Sequence, residues 1–134
     1  MQRFESGREA ALKLRPDHPV YCFRPSVLAA DTRAFLDAFP GKTAYAVKTN
    51  GEPFVLSTIA AAGVTAFDVA SPAEFAAARA VAPAAEQLYM HPVKAQSDIR
   101  LALETYGIRT LSLDHAVEFD KIQRVVQAFD IDPG

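Results

Sequence analysis

The sequence predicts an α/β domain in which parallel strands alternate with helices, and three observations carry the prediction. Short apolar runs of β character are separated by amphipathic stretches along the chain. Tyr45, Phe67, Tyr89 and Leu111 hold equivalent strand positions, each 22 residues after the last. The chain has 134 residues, 50% of them hydrophobic and 22% charged, enough for one core and too little for two ordinary domains. Regular strand-plus-helix units imply right-handed crossovers. Two architectures satisfy the pattern: a compact doubly wound domain, or the first half of an eight-stranded barrel, whose usual length is about 250 residues.

Each element has a local reason. Residues 21–23 read as a weak first strand. Pro25 and Ser26 open a helix with Leu28, Phe35 and Phe39 on one stripe, stopped by Pro40 and Gly41. Residues 44–47 read as a buried strand. Pro53 starts the next helix, whose Val55, Leu56, Ile59 and Ala62 share a face, and Gly63 sits where a left-handed cap belongs. Residues 66–69 form the following strand. Ser71, Pro72 and Glu74 then spell a capping box with proline at the first helical position. Residues 88–90 are a strand. Ser97 is expected to cap a helix with Ile99, Ala102, Leu103 and Tyr106 at i, i+3, i+4 and i+7, ending at Gly107. Residues 111–113 are the last strand, and Phe119, Ile122, Val126 and Phe129 line the last helix before a turn-like exit over 130–134.

Composition removes several function classes. The net charge of −2 argues against binding nucleic acid or anionic membranes through bulk charge. No apolar run approaches the roughly 20 residues of a membrane helix, and the N-terminus lacks the apolar centre of a secretory signal. A cytoplasmic protein is expected. The single cysteine, Cys22, leaves no internal disulfide and no CxxC site, and reads as a small core residue. His18, His91 and His115 have no metal-ligand spacing, so no metal site is expected. No glycine-rich phosphate cradle is visible.

In parallel α/β folds, ligands gather beyond the carboxyl ends of the strands. Those ends carry Lys48, Asp68 with Ser71, His91 to Lys94, and Asp114 with His115. Side chains alternate along a strand. Adding 22 places Asp68 in the register of Ala46, on the face of Lys48 and one layer lower, and Asp114 in the register of Lys48. His91 falls on the opposite, helix-facing side. A carboxylate inside an apolar strand needs a partner, and Lys48 is the nearest cation by register. A structural ion pair and a catalytic one fit this placement equally. Asp114 reads as a helix N-cap, and Lys94 as a solvated loop charge.

These strand ends resemble a known family. Tyr45-Ala46-Val47-Lys48-Thr49-Asn50 resembles the YAVKxN segment of the fold type III pyridoxal-phosphate decarboxylases, which include ornithine, lysine, diaminopimelate and arginine decarboxylases. Phe67-Asp68-Val69-Ala70-Ser71 with Glu74 resembles their FDxASxxE segment. His91-Pro92-Val93-Lys94 with Ser97 and Ile99 resembles NPxKxxxxI, with His91 in place of the usual asparagine. Leu113-Asp114 with Glu118 and Ile122 resembles FDSxxEL. Order and spacing match from about residue 20 onward, and the details are nearest the bacterial ornithine/lysine decarboxylase branch.

The resemblance implies an alanine-racemase-like (β/α)8 barrel of which residues 1–134 are the first four βα units, a half-barrel without the second half and the C-terminal β-domain. It implies pyridoxal 5'-phosphate as cofactor, Lys48 as the lysine that forms a Schiff base with it, Asp68 beside that lysine, and Ala46 near the cofactor. It implies decarboxylation of a small basic amino acid, L-ornithine to putrescine or L-lysine to cadaverine, in polyamine synthesis by a homodimer. The missing half carries further cofactor contacts, so weak or no activity is expected of these residues alone. A non-catalytic half-barrel partner, a diaminopimelate decarboxylase and an amino-acid racemase on the same barrel are the alternatives.

Overall fold

The computed structural model describes residues 2–131. In chain order the elements are α1 (Gly7–Leu14), α2 (Pro25–Ala38), β1 (Tyr45–Ala46), a 3-10 turn (Val47–Thr49), α3 (Pro53–Ala61), β2 (Ala66–Val69), α4 (Pro72–Val81), β3 (Glu86–Tyr89), α5 (Gln96–Glu104), β4 (Thr110–Leu111) and α6 (Ala116–Ala128). The four strands form one parallel sheet in the order β1-β2-β3-β4. A doubly wound domain reverses its strand order part-way; here each strand lies beside its sequence neighbour. Helices α2 to α6 likewise pack each on the next. The sheet therefore keeps its helices on one face, as a segment of a (β/α)8 barrel does.

The ladder gives the register directly. Tyr45 pairs with Phe67 and Ala46 with Asp68, and Leu88 pairs with Thr110 and Tyr89 with Leu111, so both outer steps are 22 residues. The middle step is shorter: Phe67 pairs with Gln87, and Val69 with Tyr89. The expected equivalence of Phe67 and Tyr89 is thus corrected by two positions. A slip of two keeps every side chain on its face, whereas a slip of one would invert them. Phe67, Val69, Gln87 and Tyr89 are buried under the helices. Ala46, Asp68 and Leu88, on the other face, stay half-exposed.

The core lies between sheet and helices. Phe67, Phe75, Tyr89, Leu56 and Val69 are fully covered, and Phe75 meets Tyr89 edge-on with ring centroids 4.8 Å apart. All four residues expected on the inner face of α3 are buried. Gly63 follows α3 with φ 119°, and a Cβ there would meet Leu36 Cδ1 at 3.3 Å. A satellite cluster of Ile99, Leu103, Val125 and Ile131 joins α5 to α6.

Several expectations are corrected. Residues 21–23 form no strand; Tyr21 is fully exposed, and Phe23 instead rests on Phe54 with centroids 4.7 Å apart. Cys22 is exposed. On α2 the residues facing the core are Leu28 and Leu36, while Phe35 and Phe39 are exposed and stack on each other at 5.6 Å. On α6 the inward stripe is Glu118, Ile122, Val125 and Val126; Phe119 and Phe129 face outward. Both helices flank the sheet, where only part of the circumference is covered, so an aromatic one position off the stripe stays wet. Helix α1, which the sequence reading omitted, begins with Ser6 accepting from the Glu9 amide at 3.1 Å. Helix α5 starts at Gln96 without a side-chain cap, leaving Ser97 in its first turn. The cap of α6 is His115, whose Nδ1 accepts from Val117, and not Asp114. Most of the expected exit turn, 132–134, lies outside the described residues.

Candidate active site

The carboxyl end of β1 is built to present one amine. After Ala46 the chain leaves the strand for a 3-10 turn in which Val47 is buried and Lys48 is exposed. The far side of the turn is pinned twice. The Tyr45 hydroxyl donates to the Asn50 carbonyl at 3.4 Å, and Asn50 Oδ1 accepts from the Glu52 amide at 3.1 Å, bending the chain into α3 at Pro53. Burial raises the Tyr45 phenol above its ordinary value. The chain has five lysines. Lys13 pairs with Glu9, Lys42 with Glu86, and both Lys94 and Lys121 with Glu118. Among the described residues, Lys48 alone of the five makes no ion pair and no hydrogen bond through its amine.

Asp68 stands on β2 directly opposite Ala46, on the face without helices. The register argument from the sequence placed it there. No ion pair within 4.0 Å joins it to Lys48, and its carboxylate has no hydrogen-bond donor among the described residues. The face is open and Asp68 is half-exposed, so water meets the need that burial would have created. Small Ala46 beside it adds no bulk. Beyond Asp68, Ser71 accepts from the Glu74 amide at 3.4 Å, and Glu74 Oε2 takes the Ala70 amide at 2.8 Å. That reciprocal cap closes on the residue before Ser71, and it fixes the turn that leads from Asp68 into α4.

The ends of β3 and β4 differ most from expectation. Lys94 is no solvated loop charge: its side chain is 0% exposed. Its ammonium donates to the carbonyls of His91 at 2.8 Å, Pro92 at 3.3 Å and Ser112 at 2.5 Å, and it pairs with Glu118 at 3.1 Å. Glu118 also accepts the Lys94 amide at 3.0 Å, and Lys121 bonds both Glu118 and the Lys94 carbonyl. Burial pushes the Glu118 carboxyl up, but hydrogen bonds from Lys121 and Lys94 outweigh it and hold it below its ordinary value of 4.5. Burial, with Asp98 and Glu118 nearby, pushes the Tyr89 phenol up to about 12. His91 is exposed and not turned into the helix layer; its Nδ1 accepts from the Val93 amide at 3.2 Å. Asp114 is exposed in the bend before α6. Both Lys48 and Asp114 lie past the strands, so strand alternation does not extend to them.

Chemically, this rim offers a free primary amine, a half-exposed carboxylate one strand away, and a two-strand border clamped by a buried cation. The spacing put the carboxylate opposite Ala46, while the amine was singled out only by its place at a strand end. The clamp was not legible, although Lys94 and Glu118 stood in two of the quoted segments.

The family model of the pyridoxal-binding domain of the pyridoxal-dependent decarboxylases matches residues 26–131. Among solved structures, the chain is similar to the lysine/ornithine decarboxylase of Vibrio vulnificus complexed with putrescine, with 27% identity and a TM-score of 0.73 over 92% of this chain and 34% of that one. It is similar to the lysine decarboxylase of Selenomonas ruminantium, with 26% identity and a TM-score of 0.71 over 94% of this chain and 35% of that one. The diaminopimelate decarboxylase of Helicobacter pylori, at 22% identity and a TM-score of 0.76 over 92% of this chain and 32% of that one, shares the fold. The chain spans about a third of the length of these structures. No curated protein matches it.

Proposed function

Because the chain belongs to the pyridoxal-dependent decarboxylases, through their pyridoxal-binding domain, we propose that Lys48 is the amine that holds pyridoxal 5'-phosphate, with Asp68 its neighbouring carboxylate and Ala46 leaving room beside it. Residues 1–134 would then be the N-terminal half-barrel of a basic amino-acid decarboxylase. We place L-ornithine first as substrate, giving putrescine, and L-lysine, giving cadaverine, second; a homodimer and a cytoplasmic setting go with that reading. Among the described residues no helix is long and apolar enough to cross a membrane.

The observation that carries the proposal is that, among the described residues, Lys48 alone of the five lysines has an amine with no ion pair or hydrogen bond, at the carboxyl end of a strand. An amine must shed its proton and have open space to attack an aldehyde, and pairing with a carboxylate opposes the first of these. Lys13, Lys42, Lys94 and Lys121 each have a carboxylate at salt-bridge distance. The donor set therefore fits the aldehyde end of the cofactor. When bound, the cofactor supplies the electron sink that decarboxylation requires. The chain's own contributions are local. The turn at Val47–Thr49 orients the amine. Asp68, on the neighbouring strand and not paired with Lys48, would stabilise positive charge on the linked nitrogen once the cofactor is bound. Ala46 excludes nothing.

The test is a titration with pyridoxal phosphate followed by visible absorbance. The chain should develop a saturable band, Lys48→Ala should abolish it, and Asp68→Asn should weaken it. A band of equal strength in Lys48→Ala would defeat the assignment.

A further inference from the structure

The parallel ladder between β3 and β4 is only two pairs long, Leu88 with Thr110 and Tyr89 with Leu111. Its last link is the Ser112 amide donating to the Tyr89 carbonyl at 3.0 Å. Beyond that point the backbone has no strand partner, and the Lys94 side chain takes over. An ammonium has three donors and no acceptor. Lys94 directs them at the carbonyls of His91 and Pro92, in the loop leaving β3, and of Ser112, in the loop leaving β4. The Tyr89 ring lies 5.5 Å away. Such a buried charge is tolerable only with a counter-charge, which Glu118 supplies from α6. Full burial and this pairing also keep Lys94 from competing with Lys48 as a nucleophile.

We infer that Lys94 is a positioning residue: its buried ammonium, neutralised by Glu118, extends the β3–β4 pairing past its last strand hydrogen bond and holds the two loops as a fixed rim for the proposed cofactor site. This rests on the reading that the cofactor is held at the strand ends by Lys48. Lys94 makes no hydrogen bond or ion pair with Lys48 or Asp68. Its effect is on how readily the rim accepts the cofactor, and not on the reactivity of the amine.

The experiment compares Lys94→Met with Val125→Ala, which thins the α5–α6 contact without touching the clamp. Amide hydrogen exchange is followed in residues 90–95 and 112–115, beside the pyridoxal-phosphate absorbance titration. Lys94→Met should speed exchange in both loops by about tenfold or more, and raise the half-saturating cofactor concentration while leaving the final band intact. Val125→Ala should do neither, and a purely structural role for Lys94 would instead lower the band at every concentration. If Lys94→Met does not fold, Lys94→Met/Glu118→Gln removes both charges, keeps an acceptor for the residue-94 amide, and carries the same comparison. Unchanged loop exchange, or equal effects of the Val125→Ala control, would overturn the inference. If Lys48→Ala retains the band, the reading of Lys48 falls by itself, and the exchange rates alone decide the clamp.

Discussion

Replacing Glu118 with leucine should be among the costliest single changes in this chain. The substitution leaves the Lys94 ammonium, 0% exposed, without the carboxylate 3.1 Å away, and removes the 2.6 Å partner of Lys121. It also orphans the Lys94 amide, which donates to the same carboxylate. Breaking a buried pair from one side typically costs about 3–5 kcal/mol, a large share of the roughly 5–15 kcal/mol that holds a domain together. Glu118→Gln keeps an acceptor for the amide and should cost less, about 1–3 kcal/mol. Urea unfolding at neutral pH measures both. The pH dependence supplies a second check. The folded carboxyl lies below 4.5, so its stabilisation is present above that value and is lost as pH falls through the lowered folded value. The gap between the parent chain and Glu118→Gln should therefore narrow in acid. A cost of Glu118→Leu below about 1 kcal/mol, or a gap unchanged by acid, would refute the burial and pairing argued here.

Three further outcomes follow from the same structure. Phe75→Ala, at a side chain fully buried against Tyr89 and Tyr106, should cost about 3–5 kcal/mol by thermal or urea unfolding. Ser71→Ala removes the cap of α4 and should cost about 1 kcal/mol in the same assay, with Glu74 retaining its bond to Ala70. The Tyr89 phenol is raised from 10.0 to about 12, so its contribution is intact below pH 10 and is lost as pH rises through the folded value; alkaline unfolding of Tyr89→Phe should lack that slope.

Much of the fold was legible because its signals are local. Ser71 and Glu74 are three residues apart and form the cap their spacing implies. Phe67, Asp68 and Val69 take the alternation that an apolar run with one carboxylate predicts. The 22-residue spacing put Asp68 opposite Ala46 correctly, since the β1-to-β2 step is regular, and it missed the β2-to-β3 step by an even number that left the faces unchanged. What failed depends on distant chain. Lys94 is buried because Glu118, 24 residues later, meets it there; nothing near Lys94 in sequence announces that. Phe35 and Phe119 were misplaced because periodicity finds a stripe but not how much of it the neighbours cover. Helix α1 carries the same Ser-x-x-Glu signal as α4, but it packs only Ala10 inward and so offers no stripe of large apolar residues for periodicity to find.

Peptide mapping after borohydride reduction in the presence of pyridoxal phosphate tests the central claim most directly. The label should concentrate on Lys48, the amine that no carboxylate holds among the described residues. A label divided among Lys13, Lys42 and Lys121, with Lys48 carrying no more than its share, would contradict the account.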